Sequence, residues 1–181
     1  MGKQMGAGEV DFFESLPRQV DAINELISGL PAERILVHYC YGNWVGSHRF
    51  DAEFRRILPE LLRLKAGTQV GEMANPRQAG DALILGDYLS EHEWPKRMSL
   101  AMGVIDVKNP IVEAPEGVAM RLEIIAKLDK IDPTGQLFGG TDCVFATFAD
   151  FGNLTHAVAV QKSRSLVVST QLANKRLGLS K

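Results

Sequence analysis

The chain has 181 residues, 45% apolar and 23% charged, which suits a single domain (residues 1–181) with a sizeable core. A net charge of -2 argues against a broad basic surface for nucleic acid or anionic lipid, and no apolar run approaches the ~20 residues that span a bilayer. Its two cysteines argue against a disulfide framework and for a cytoplasmic protein, and Met1–Val10 lacks the apolar centre of a signal peptide.

Val20, Ile23, Ile27 and Leu30 follow helical spacing, with Pro17 in the first turn and Gly29 and Pro31 at the end. The run Ile35–Tyr39 is apolar and β-branched and predicts a buried strand entering the loop Gly42-Asn43. Side chains alternate along a strand, so His38 and Cys40 share a face. An imidazole nitrogen and a thiolate in that relation suit one soft or borderline metal ion; they equally suit a core histidine beside a buried cysteine. Phe50, Phe54, Ile57, Leu58, Leu61 and Leu62 form a second amphipathic pattern. Pro59 within it predicts a kink or two short helices.

Thr68–Met73 reads as a second strand leading to the loop Asn75-Pro76-Arg77, and Ala82–His92 as a weaker helix. Met98–Asp106 reads as a third strand, apolar on both faces. Ala114-Pro115-Glu116 opens a helix whose inner stripe is Val118, Leu122, Ile125 and Leu128. Gln136–Ala146 holds a fourth strand, in which Gly139 and Gly140 permit close backbone approach. A last helix runs from about Asn153 to Lys175. One helix followed by four strand–helix units predicts an α/β fold with a parallel sheet.

In such sheets ligand groups gather at the carboxyl ends of the strands. Those ends carry His38 and Cys40, then Glu72, then Asp106 and Lys108, then Asp142 and Cys143. Cys40 and Cys143 are open to three readings: a disulfide, two inert buried thiols, or a shared metal. One histidine, two cysteines and one glutamate make an acceptable zinc shell. A two-thiolate shell suits alkyl transfer, because zinc holds a substrate thiol as the nucleophilic thiolate. Hydrolytic zinc sites more often use nitrogen and oxygen ligands.

The His38-Tyr39-Cys40 pair on a strand, the single Glu72 on the next, the loop Asp106-Val107-Lys108-Asn109-Pro110 and the late Asp142-Cys143-Val144-Phe145-Ala146-Thr147 segment together resemble the catalytic domain of cobalamin-independent methionine synthase. They resemble its shorter archaeal and bacterial relatives more closely, a group that shares its barrel architecture with uroporphyrinogen decarboxylase. The resemblance runs from about Phe12 to Gly178. It implies a parallel (β/α) barrel of the TIM type, here a half barrel of four strand–helix units. It implies zinc held by His38, Cys40, Glu72 and Cys143, and methyl transfer from a methyl-folate to homocysteine. Other members of the group alkylate other thiols, such as coenzyme M with an epoxide. An inactive module with a purely structural metal is a further reading.

Lys108 stands where plant and bacterial methionine synthases carry a histidine. With Asp106 it is the expected catalytic pair, Lys108 as a point charge for a carboxylate or phosphate and Asp106 to orient a substrate amine or, equally, to bond backbone amides. Asn43, Asn75, Arg77 and Asp142 are the expected substrate-binding residues; Asn75 equally suits loop ordering. Trp44 suits stacking on a pterin or loop packing, while His48, His92 and His156 read as surface or structural. A half barrel leaves two strand edges open, so the chain is either a piece of a longer product or is completed by a second polypeptide or copy.

Overall fold

The computed structural model describes residues 11–42, 48, 51–146 and 154–179. Among the described residues, five α-helices and four strands follow the expected order: α1 (Phe12–Leu26), β1 (Leu36–His38), α2 (Phe54–Leu61), β2 (Thr68–Glu72), α3 (Asp81–Glu91), β3 (Ser99–Ile105), α4 (Pro115–Ala126), β4 (Leu137–Thr141) and α5 (His156–Leu177). The strands form one parallel sheet in the order β1-β2-β3-β4. Its centre is β3, where Met102, Val104 and Ile105 have no exposed surface. Such a strand reads apolar on both faces because the inner strands of a parallel sheet are buried on both faces.

The two outer strands are different. Leu36 on β1 is 61% exposed and Phe138 on β4 is 53% exposed. The expectation of a buried first strand is therefore corrected: β1 is a three-residue edge strand with His38 exposed. That removes the reading of His38 as a core histidine.

Helix boundaries follow caps that the apolar pattern hid. Asp11 Oδ1 accepts a hydrogen bond from Phe13 N at 2.7 Å, so α1 starts at Phe12. Pro17 consequently falls in the second turn, not the first, and Leu30 lies beyond the helix, 55% exposed. α2 is one eight-residue helix that keeps Pro59, with neither break nor second segment, because it ends two residues later. Gln69, on β2, donates to the Leu61 carbonyl and satisfies that helix end. Phe50 lies outside the described residues. Thr155 Oγ1 caps α5, and Gly178 closes it at φ 71°.

The close approach expected at Gly139 and Gly140 lies mainly elsewhere. A Cβ on Gly140 would meet nothing nearer than 3.7 Å, and one on Gly139 only the side chains of Leu122 at 3.1 Å and Leu166 at 3.4 Å. A Cβ on Gly103 would lie 2.4 Å from Asp142 Oδ1 and 2.9 Å from the Gly71 carbonyl oxygen. The missing side chain there makes room for the Asp142 carboxylate at the sheet end.

Candidate metal centre

β1 presents His38, and the chain leaving it presents Cys40 on the same face. Cys143 comes from the turn after β4, on the opposite edge of the sheet. A flat sheet would hold those edges three strand spacings apart, on the order of 14 Å. Here a nitrogen of His38 and the sulfurs of Cys40 and Cys143 all lie within 4.8 Å of one another. The curl of the sheet and the turn after Thr141 make that convergence. Both thiols are free, Cys40 exposed and Cys143 partly so.

The two thiols differ in character. A hydrogen bond between Cys40 and His38 lowers the Cys40 pKa and raises that of His38. This favours an imidazolium–thiolate pair. Burial pushes Cys143 the other way.

Glu72 stands next to this group and outside it. It is 1% exposed; Oε1 accepts from Lys108 Nζ at 2.6 Å and Oε2 from Tyr41 N at 2.9 Å. Three of the four expected ligands thus converge, and the fourth is held by Lys108. The Lys108 ammonium in turn faces Glu72 rather than an open pocket; its side chain is 6% exposed.

The other expected site residues are mostly committed to the rim itself. Asp142 has no exposed surface. Its Oδ1 accepts from Met73 N at 2.9 Å and Ala74 N at 2.8 Å, and its Oδ2 from Asn75 N at 2.9 Å. Burial outweighs those three bonds and raises its pKa to about 7. Its oxygens pin the β2–α3 loop to the end of β4. Asp106 is similarly engaged. Oδ1 accepts from Lys108 N at 2.8 Å, and Oδ2 accepts from Asn75 Nδ2 at 3.3 Å and from Asn109 Nδ2. Those bonds order the loop, the alternative reading of Asp106. Asn75 Oδ1 accepts from Arg77 N and Nε, and Arg77 Nη1 pairs with Asp51. Asn43 and Trp44 lie outside the described residues. His48 Nδ1 is 3.0 Å from Asp51, the His92 ring stacks on Tyr88 at 4.0 Å, and His156 is the first residue of α5.

Sequence reasoning missed Lys162. This lysine on α5 has no exposed surface; its ammonium donates to the carbonyls of Asp106 (2.9 Å) and Ile111 and to Glu113 Oε2 (2.9 Å). Glu113 Oε1 accepts from Asp106 N at 2.8 Å, so the lysine ties α5 to the loop that carries Asp106 and Lys108. A signal was present: Lys162, Ser165, Ser169 and Ala173 are spaced three and four apart, the inner face of a helix.

No family model matches the chain. Its sequence is 26% identical to 2-hydroxypropyl-CoM lyase of Xanthobacter autotrophicus, over 94% of this chain and 48% of that one. Its fold matches a B12-independent methionine synthase from Shewanella sp. W3-18-1, solved with selenomethionine, at a TM-score of 0.66 and 21% identity. The match covers 92% of this chain and 46% of that one. The chain is similar to two enzymes. It spans about half the length of each. The structural likeness carries the fold: four parallel strand–helix units laid out as in part of a methionine synthase barrel.

Proposed function

We propose that this chain is the metal-binding half of an enzyme that alkylates a thiol, first of all a methyltransferase acting from a methyl-folate onto homocysteine. The observation that carries the reading is the convergence of His38, Cys40 and Cys143 from opposite edges of the sheet. Two sulfurs and one imidazole nitrogen are a zinc donor set, and the bond from His38 already favours the Cys40 thiolate. Three protein donors leave the fourth position of a tetrahedral zinc to a substrate thiol, whereas structural zinc shells take four protein ligands.

His38, Cys40 and Cys143 would hold the metal, with Glu72, once released by Lys108, as the fourth ligand that a substrate thiol would replace. Bound zinc supplies the charge that keeps a substrate thiol deprotonated near neutral pH. The protein fixes the geometry. Asp142 and Asp106 hold the rim loops rigid, so that sulfur and methyl carbon meet in line and proximity provides much of the rate. The sulfur–carbon bond forms as the methyl–nitrogen bond breaks. The leaving nitrogen takes a proton, for which Lys108 is the nearest proposed source.

A second reading follows from the sequence similarity to 2-hydroxypropyl-CoM lyase: the thiol is coenzyme M and the electrophile an epoxide. In both readings the exposed edges at Leu36 and Phe138 are covered by further strands, from the same product, a second polypeptide or a second copy.

Purified protein is expected to carry about one zinc per chain, with Cys143→Ser losing most of it. Product formation from homocysteine and methyl-tetrahydrofolate, or from coenzyme M and epoxypropane, then separates the two chemistries, with the missing strands supplied in trans. Protein that binds no zinc, or binds it equally without Cys143, would overturn both.

A further inference from the structure

The fold brings the chain's two cysteines together from opposite edges of the sheet. Cys40 follows the end of β1 and Cys143 the end of β4, so neither belongs to the ladder of sheet hydrogen bonds. Their sulfurs lie within 4.8 Å of each other, and the two side chains are hydrogen-bonded. A disulfide holds its sulfurs at about 2 Å, so the gap to close is at most roughly 3 Å. Side-chain rotation and small shifts of two loop segments can close it. Thr141 Oγ1 donates to the Cys143 carbonyl at 2.8 Å and fixes the turn on that side. Both thiols are free, and Cys40 is exposed, so a small reagent reaches it. There is no third cysteine to divert the exchange.

We propose that Cys40 and Cys143 are a reversible redox pair: in the metal-free chain a low-molecular-weight disulfide oxidises them to a Cys40–Cys143 disulfide, which withdraws two of the three metal donors until a thiol reduces it. The exposed Cys40 gives its proton to solvent and attacks one sulfur of the oxidant. The oxidant's sulfur–sulfur bond breaks. One half leaves as a thiolate and takes up a proton, and the other half stays on Cys40 as a mixed disulfide. Cys143 then loses its proton and attacks Cys40 Sγ, and the second half leaves as a thiol. Two protein thiols are oxidised, one oxidant molecule is reduced to two thiols, and no other reactant is needed. Bond formation depends only on where the sulfurs stand. Its effect on metal uptake rests on the zinc reading.

The test treats reduced, metal-free protein with excess oxidised glutathione, quenches in acid and measures the intact mass. The expected product has lost two hydrogen atoms and carries no glutathione. Proteolysis should then release one cross-linked pair of peptides holding Cys40 and Cys143. Cys143→Ser should stop at one glutathione on Cys40. Free thiols after prolonged treatment, two glutathiones retained on the folded chain, or cross-links only between copies would each overturn the proposal. The oxidised protein should bind less than about a tenth of the zinc that the reduced protein binds, with dithiothreitol restoring uptake. Equal uptake by a zinc-binding reduced form and its oxidised form would overturn the control over metal. If the reduced form takes up no zinc, the zinc reading fails while the mass result still decides the redox pair.

Discussion

The ammonium of Lys108 lies 2.6 Å from Oε1 of Glu72, and neither side chain is more than 6% exposed. Glu72 is thus a carboxylate with two possible cationic partners, the lysine and a bound metal. The variant Lys108→Met separates them. Without metal it strands a buried charge, and stability should fall by about 3 kcal/mol. With metal the carboxylate is freed for coordination and a repelling cation is gone. Zinc affinity, read by competition with a chelator, should then tighten by about tenfold. Unchanged or weaker affinity would place Glu72 outside the metal shell.

The two thiols should react in order. Cys40 is exposed and shifted toward thiolate by His38, whereas Cys143 is partly covered and shifted toward thiol. Alkylation by iodoacetamide followed by peptide mass mapping should label Cys40 first. Saturating zinc should slow both labels together. Protection of Cys40 alone would mean that Cys143 is not a ligand.

Burial raises the pKa of Asp81 to about 6 and that of Asp142 to about 7. Raised folded-state values mean that the folded chain binds these protons more tightly than the unfolded chain does. Their stabilising contribution is complete below about pH 4 and is lost as pH rises through about 6 and 7. Asp81→Asn should remove the Asp81 part of this dependence, flattening the slope of unfolding free energy between pH 4.5 and 6.5, roughly the window between its two values. A slope unchanged by the substitution would show that Asp81 is ionised throughout.

Lys162→Met should be among the most damaging substitutions outside the metal group. It removes the donor for two carbonyls and leaves Glu113 a poorly compensated carboxylate. Chemical denaturation should show a loss of about 3–5 kcal/mol. The companion change Glu113→Gln in the same chain should recover part of it. If the double variant is no more stable than Lys162→Met alone, the two carbonyls carry the effect.

The sequence was legible where residues repeat a period and opaque where one residue acts alone. The strand–helix alternation, the parallel sheet and the His38, Cys40 and Cys143 positions follow from apolar runs and their carboxyl ends. Sequence spacing cannot tell which way a carboxylate points. Asp142 and Asp106 sit at strand ends as ligand-binding acids would, yet their oxygens meet backbone amides and loop side chains. Gly103 gave no sign that it accommodates Asp142, since that contact joins residues 39 positions apart across two strands. Lys162 was hidden because a buried polar stripe on α5 defeats the apolar pattern by which an inner face is recognised.

Two of the three converging ligands ride on or just beyond β1, a ladder of only three residues at the rim of the sheet. Fraying of that short segment would withdraw imidazole and thiol together, so an ion held there acts as a clasp on the outermost strand. Amide hydrogen exchange at Leu36, Val37 and His38 should therefore slow when zinc is added, while exchange in β3 stays as it was.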